Sequence, residues 1–265
     1  MPRAQSVDIA LQDALELSRR LEERRGSIQP FEIRRLAQQA TLGGDNQIAL
    51  LVRDALVAEI ERDYALFDST LEQLLQCRLP SELLLNLSTI ALFAFNPRIT
   101  VTMLRSGIEY AKGNPDFLNI LGRSAWFCGD LELWQEIRER IHGLGAEMQL
   151  DGHDNQDIIR VLASSGVNLE TYREYVFGLH DHVRRYADGQ VNTSILLSFE
   201  PVAHEDGAES VVLEIFSDMD SDALDRLDDE LLDYASDIDR WGIELSATVT
   251  TLVRDIPDQN LAEAV

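Results

Sequence analysis

The chain is poor in positive charge, and in lysine above all. Its 265 residues include 47 acidic and 23 basic side chains, a formal net charge of −24, and Lys112 is the only lysine. Such a charge repels nucleic-acid backbones and anionic membrane surfaces, and the sequence contains no segregated basic patch that would offset it. We therefore expect no direct nucleic-acid binding and no membrane partner.

Cysteine is also scarce, and long apolar runs are missing. Cys77 and Cys128 lie 51 positions apart in no metal-binding or redox spacing, so both are expected to be buried free thiols in a reducing compartment. The most apolar segment, residues 83–95, is shorter than the roughly 20 residues that span a bilayer. The amino terminus lacks the apolar segment of a secretory signal. These features predict a cytoplasmic protein, which we expect to be bacterial.

The motifs of common enzyme classes are absent as well. The sequence contains no GxGxxG, GxxxxGK[ST], GxSxG or HExxH pattern and no neighbouring Cys/His nucleophile pair. We therefore assign no catalytic residue, no cofactor and no metal site. A site assembled from residues distant in sequence lies beyond the reach of such motifs.

The first 189 residues have the periodicity of helices. Apolar residues recur at helical spacing from the start of the chain. Three helical pairs are predicted at residues 30–63, 80–114 and 115–145. Their breaks are predicted at Gly43-Gly44-Asp45, Asn96-Pro97 and Gly129-Asp130. An extra helix over residues 64–78 separates the first two pairs, and pair lengths of about 31 to 35 residues are typical of helical-hairpin repeats.

Residues 30–145, and the third pair above all, resemble tetratricopeptide repeats. Leu121-Gly122 matches the Leu-Gly of that family's first helix, and Gly129-Asp130 matches its turn. The chain departs from the family at Trp134, where the family has a small residue, and at Asn96-Pro97, which replaces the turn glycine. The resemblance implies a curved helical surface that grips partner peptides or proteins. An irregular helical bundle is the alternative.

After Gly189 the pattern changes to that of a small α+β unit. Residues 193–202 and 210–220 have the composition of strands, an acidic helix follows, and residues 242–255 are predicted to form a third strand. The predicted order is β-β-α-β, with a ferredoxin-like sheet as one option.

These patterns divide the chain into two parts. Residues 1–189 carry 20 basic and 28 acidic side chains, whereas residues 190–265 carry 3 and 19. The predicted fold class is α+β and mostly α: a helical-hairpin repeat or bundle region over residues 1–189, followed by an acidic α+β domain over residues 190–265.

The acidic helix is the most unusual stretch of the sequence. Residues 217–239 contain nine Asp and one Glu, and Arg226 is the only opposing charge. Apolar residues that include Ile238 and Trp241 cover an arc of about 120° on a helical wheel and predict a buried face. Five aspartates lie opposite and are the candidate partner-binding residues: Asp222, Asp225, Asp229, Asp233 and Asp237. Asp237 falls at the helix end that the macrodipole disfavours for an acid.

Two site chemistries compete for the start of this stretch. Asp218 and Asp220 are similar to the DxDx(T/V) motif of haloacid-dehalogenase-like phosphatases, which implies Asp218 as nucleophile and Asp220 as acid/base, but no lysine follows. Asp218, Asp220 and Asp222 also occupy positions 1, 3 and 5 of a calcium loop, but Ala223 replaces the glycine of the sharp turn.

Two histidine segments suggest a further chemistry. His153-Asp154 and His180-Asp181-His182 resemble parts of the helical HD-type metal phosphohydrolases, in which such residues ligate metals. Both segments lack that family's apolar flank.

We predict a non-enzymatic protein-binding module, an adaptor, chaperone-like or inhibitory protein, whose acidic domain docks a partner with a basic surface. A metal-dependent phosphohydrolase and a nucleic-acid mimic are the alternatives, and a solvated helix face is the simplest explanation of the aspartates. The sequence leaves the oligomeric state open.

Overall fold

The computed structural model describes residues 3–41, 47–109, 111, 113–148, 155–205 and 207–256. The helices within them are α1 (Arg3–Glu22), α2 (Pro30–Thr41), α3 (Gln47–Glu61), α4 (Tyr64–Leu75), α5 (Ser81–Phe93), α6 (Pro97–Ile108), α7 (Pro115–Phe127), α8 (Leu131–Gly143), α9 (Asn155–Ser164), α10 (Leu169–Ala187), α11 (Ser221–Ala235) and α12 (Ile238–Thr248). The strands are β1 (Ile195–Ala203), β2 (Glu209–Ser217) and β3 (Val249–Asp255). The predicted α+β, mostly α, class is confirmed.

Three short turns of similar geometry join α3 to α4, α5 to α6 and α7 to α8. One residue in each turn has a left-handed backbone conformation, and these residues recur after 33 and then 34 positions: Arg62, Phe95 and Gly129, with φ of 54°, 52° and 69°. The residue that follows accepts a hydrogen bond from the first turn of the next helix through its side chain: Asp63, Asn96 and Asp130. The turns are therefore repeats of one structural unit.

A buried alanine lies four residues before each left-handed residue. Its carbonyl oxygen accepts a hydrogen bond from the amide of the capping residue at 2.9, 2.9 and 3.0 Å in the three turns. The three alanines are Ala58, Ala91 and Ala125, and each is fully buried. We call α3 to α8, three hairpins built on this turn, the array.

The first hairpin differs from the sequence prediction. The helix predicted at residues 64–78 is present as α4, and the predicted pair of α2 and α3 packs together, but α4 also packs against α3 as the second helix of a hairpin. Arg62 occupies the position where glycine is usual, so the turn carries no glycine signal. The predicted break at Gly43-Gly44-Asp45 lies outside the described residues. The breaks at Asn96-Pro97 and Gly129-Asp130 are confirmed.

Helix α10 runs across the turns of the array. At the first turn, Arg184 donates to the two carboxylate oxygens of Asp68 at 2.7 and 2.8 Å. At the third turn, a β-carbon on Gly129 would come within 2.7 Å of the Val176 side chain. The chain's own helix therefore covers the turn edge of the array.

The sheet is formed by the last part of the chain. Its order is β1-β2-β3, with β1 and β2 antiparallel and β2 and β3 parallel. Both α11 and α12 lie between β2 and β3, so the order is β-β-α-α-β. Because β2 and β3 hydrogen-bond to each other directly, the crossover is a plain βαβ unit and not the split one of a ferredoxin-like sheet.

The third strand begins later than the sequence predicts. Residues 243–248 belong to α12 and only Val249–Asp255 forms β3. Leu245 and Thr248, three residues apart, are both buried, which is the spacing of a helix. The β-branched residues before Thr248 are too few to favour a strand, whereas residues 249–253 contain four.

Two further predictions concern the thiols and the membrane. Both cysteines are free; Cys128 is buried, as predicted, and Cys77 is half-buried, which is less than predicted. In the part of the chain that the structure describes, every helix is too short or too polar to cross a membrane.

Candidate functional site

Helix α11 begins and packs as its sequence requires. The side chain of Asp220 accepts a hydrogen bond from Ala223 N at 2.9 Å and so caps the helix. The residues that recur at helical spacing on its apolar face are buried: Leu224, Leu227, Leu231 and Tyr234. The predicted amphipathic helix is therefore present, with the aspartates on its solvent side.

The acidic stretch forms two helices rather than one. Helix α11 ends at Ala235, and Asp237 caps α12 by accepting a hydrogen bond from Arg240 N at 3.2 Å. Asp237 thus lies at a helix amino terminus, where the macrodipole favours a negative charge, and not at the disfavoured end that one long helix would impose. Of the five candidate residues, Asp237 is separated from the others by this turn.

The solvent face of α11 carries five aspartates. Four were predicted from the sequence, and Asp228 joins them: Asp222, Asp225, Asp228, Asp229 and Asp233. All five are exposed, and none of their carboxylates has a hydrogen-bond or ion-pair partner among the described residues. Arg226, the basic residue of this helix, hydrogen-bonds the backbone carbonyl of Asp222, so these carboxylates have no ion pair among the described residues.

Glu230, the remaining carboxylate of α11, behaves differently. Tyr186 donates to its Oε1 at 2.9 Å and Arg185 donates to its Oε2 at 3.2 Å. The hydrogen bond from Tyr186 and the charge of Arg185 lower the pKa of Glu230. Glu230 therefore links α11 to α10 and, unlike the aspartates, has partners within the chain.

Three large aliphatic side chains of α11 and α12 are exposed. Leu232, Ile238 and Ile243 are 65%, 54% and 65% exposed. Leu232 follows Asp229 by three positions and Asp228 by four, so it shares their face of α11. The sequence wheel places Ile238 in the buried arc, which is wrong because the helix ends before it; the Ser-Asp pair at 236–237 is the capping signal that reveals the break.

The acidic face is fixed to α10 by an aromatic contact. Tyr234 donates its hydroxyl to Tyr175 O at 2.8 Å, and Trp241 donates its indole N–H to Tyr234 O at 2.7 Å. Gly178 makes room for this contact, since a β-carbon there would lie 1.9 Å from the Tyr234 hydroxyl. Burial raises the pKa of Tyr175 to about 12. The face is therefore presented on a packed support.

A cleft of about 580 Å³ lies where α4, α10 and the α11–α12 segment meet. Three acids and three arginines line it: Asp68, Asp181, Asp188, Arg184, Arg185 and Arg240. Burial raises the pKa of Asp181 against the opposing charge of Arg98, and burial followed by Arg185 lowers the pKa of His182. With opposite charges equal in number, the cleft favours neither anions nor cations.

The candidate residues of the two phosphatase-like motifs are hydrogen-bonded within the chain. Asp218 Oδ1 accepts a hydrogen bond from Ser194 N at 2.7 Å, and Asp220 caps α11, so both carboxylates bind backbone amides. His180 is 1% exposed and bonds Phe127 O at 3.0 Å through Nε2. His153-Asp154 lies outside the described residues. Across the described ranges, no group of three or more His, Cys, Asp or Glu side chains could hold a metal ion.

Comparison with known proteins identifies no relative. No protein-family model matches the chain, and no curated protein and no solved structure is significantly similar to it.

Proposed function

We propose that the protein is a non-enzymatic protein-binding module, an adaptor, chaperone-like or inhibitory protein, that docks a partner with a basic surface. The observation that carries the proposal is the solvent face of α11, where five unpartnered aspartates surround the exposed Leu232. Ile238 and Ile243, both in α12, are exposed as well.

The two kinds of residue have separate roles in docking. The aspartates attract Arg and Lys from a distance and raise the association rate, an effect that salt screens within about 10 Å at 0.1 M. The aliphatic residues supply the affinity: a fully buried side chain of this size contributes about 1.5–3 kcal/mol, and three that are partly buried already would add roughly 1–2 kcal/mol each. The partner we propose therefore presents basic residues around an apolar strip.

The array supports a scaffold role. Its three turns with a period of 33 and 34 residues are consistent with the resemblance to tetratricopeptide repeats. Because α10 covers the turn edge, the proposed docking surface is the acidic domain and not the turn edge of the array. We propose a cytoplasmic location because the composition is that of a globular protein and both cysteines are free thiols.

A capture experiment with matched charge variants tests the proposal. The immobilised protein is incubated with extract of its own source cells at about 0.05 M and about 0.5 M salt, and bound proteins are quantified by mass spectrometry. The test variant removes three charges from the face: Asp225→Asn, Asp229→Asn and Asp233→Asn. The control removes three exposed charges from the array: Glu72→Gln, Glu82→Gln and Glu139→Gln.

We expect a partner that the unchanged protein and the array control retain at low salt and that the test variant loses. A second variant, Leu232→Ser with Ile243→Ser, is expected to lose the partner at either salt concentration because it removes apolar contacts. The proposal is contradicted if the triple Asp→Asn variant and the Leu232→Ser, Ile243→Ser variant each recover every bound protein as well as the unchanged protein does. The aspartates would then be a solvated face.

A further inference from the structure

A buried ionic cluster joins the end of α1 to the end of α3. The side chains of Arg25 and Glu59 are 4% and 2% exposed. Arg25 Nη2 donates to Glu59 Oε1 at 2.5 Å and also contacts Glu22 Oε2, while Arg25 Nε donates to both oxygens of Glu22 at 2.7 Å. One guanidinium thus holds two carboxylates side by side, with Glu59 out of contact with water and the side chain of Glu22 16% exposed.

The same cluster grips the segment that leads into the sheet. Arg25 Nη1 donates to Val191 O at 3.2 Å, and Arg62 Nη2 donates to Thr193 O at 2.6 Å. Arg62 O accepts a hydrogen bond from Gly189 N at 3.1 Å. Residues 189–193, which we call the linker, connect α10 to β1, so these bonds fix the sheet unit to the first hairpin of the array.

Arg62 is an unusual residue for its position. It has φ of 54°, a conformation that favours glycine, whereas the equivalent position of the third turn is Gly129. Its Nε and Nη1 are buried without a hydrogen-bond partner, as is the hydroxyl of Tyr64. The contact of its guanidinium with the linker is a physical reason for an arginine here.

The charge of the cluster depends on Glu59. Burial raises the pKa of Glu59 well above its usual range, and the neighbouring Glu22 raises it further, while Arg25 and Arg62 oppose the shift. The ionisable groups that face Glu59 are Glu22 and Arg25 from α1 and the turn after it, Arg62 from the α3–α4 turn and Tyr64 from α4. The linker contributes no ionisable group and meets the cluster through two backbone carbonyls and the amide of Gly189.

We infer that Glu22, Arg25, Glu59 and Arg62 form a pH-dependent clamp, which holds the linker against the first hairpin while Glu59 carries a proton and loosens when that proton is lost. Ionised Glu59 is a buried negative charge beside the carboxylate of Glu22, which itself is only 16% exposed. Opening the contact hydrates both carboxylates and removes that repulsion. The closed clamp therefore binds the proton more tightly than the open one, and opening is favoured as pH rises.

Amide hydrogen exchange at Gly189 measures opening directly, because its N–H donates to Arg62 O. The exchange rate is recorded by NMR from about pH 5 to about pH 8.5 and corrected for the intrinsic pH dependence of exchange. In the unchanged protein we expect the opening constant to rise up to about tenfold per pH unit between the pKa values of Glu59 in the open and closed states.

Three variants make the test specific. Glu59→Gln mimics the protonated acid and should abolish the rise, whereas Glu22→Gln removes the repulsion and should move the rise to lower pH. Glu61→Gln changes an exposed carboxylate on the same helix and should behave as the unchanged protein. A rise that Glu59→Gln leaves intact overturns the clamp. If Glu59→Gln does not fold, the Glu22→Gln variant decides: the clamp is overturned if its opening constant rises over the same pH range as in the unchanged protein.

Discussion

Gly178 is the point at which the acidic helix is seated on α10, and replacing it tests that contact. A β-carbon at this position would lie 1.9 Å from the Tyr234 hydroxyl oxygen and 2.6 Å from the ring carbon that bears it. Gly178 lies in the middle of a helix, where alanine is ordinarily favoured by about 1 kcal/mol. The helix preference and the packing therefore make opposite predictions for Gly178→Ala.

The packing contribution is the larger of the two. Overpacking of this kind costs about 1–3 kcal/mol. Displacing Tyr234 also breaks its hydrogen bond to Tyr175 O, worth about 1 kcal/mol, and its ring contacts with Tyr175 and Trp241, worth about 0.5–1.5 kcal/mol for such a pair. After the gain in helix preference, the expected net loss is about 1.5–4.5 kcal/mol.

Urea unfolding followed by far-ultraviolet circular dichroism measures the loss in a double-mutant cycle. In the Tyr234→Ala background the obstacle is gone, so Gly178→Ala should stabilise by up to about 1 kcal/mol. Gly143→Ala, at a helical glycine with open space around its β-carbon, is the control and should not destabilise. If Gly178→Ala stabilises the unchanged protein, or destabilises both backgrounds equally, the contact is not what holds the acidic helix.

Two further predictions concern charge. Changing Asp225, Asp229 and Asp233 together to Asn should stabilise the protein by about 0.4–1 kcal/mol in urea unfolding, because two like-charge pairs four residues apart are removed; a loss of stability would mean that these carboxylates have partners. Burial lowers the pKa of His180 to about 4, from the ordinary 6.5. The contribution of neutral His180 to the free energy of unfolding is therefore complete above about pH 6.5 and is lost as pH falls toward 4. This loss amounts to about 3 kcal/mol, and it should be absent in His180→Leu but present in the exposed-residue control His142→Gln; an unchanged acid slope in His180→Leu would refute the assignment.

Much of the fold could be predicted from local pattern. Apolar spacing fixes the helices, and the change to period two after Gly189 marks the start of the sheet unit. The predicted turns at Asn96-Pro97 and Gly129-Asp130 are confirmed, because a capping side chain and a proline or glycine announce them. Such signals depend only on neighbouring residues, which is why the sequence carries them.

The hairpin of α3 and α4 was not recognised as a repeat of the other two, because its turn lacks the proline or glycine that marks theirs. Arg62 adopts a left-handed conformation that local preference disfavours, and its guanidinium is held by Thr193 O, 131 positions away. No window of sequence around the turn contains that contact. The repeat of Ala58, Ala91 and Ala125 becomes visible only once all three turns are known.

The candidate site was predicted in part. Four of the five predicted aspartates lie on the solvent face of α11. Asp237 does not, because α11 ends at Ala235, whereas the helical wheel assumed one continuous helix. The same error hides the exposure of Ile238. The absence of partners for the aspartates depends on tertiary structure and has no sequence signal.

The aspartates alone would be ordinary, since their mutual repulsion of about 0.2–0.5 kcal/mol per pair is small beside the burial of Leu224, Leu227 and Leu231 at about 1.5–3 kcal/mol each. A solvated face needs charge only to keep the chain soluble, and a net charge of −24 already provides that. An exposed leucine at the centre of the charged face works against solubility, as do the two exposed isoleucines of α12. Negative charge and an exposed leucine occur together on the solvent face of α11, which Tyr234 and Trp241 hold on α10. That combination is typical of a docking surface and gives a solvated face no advantage.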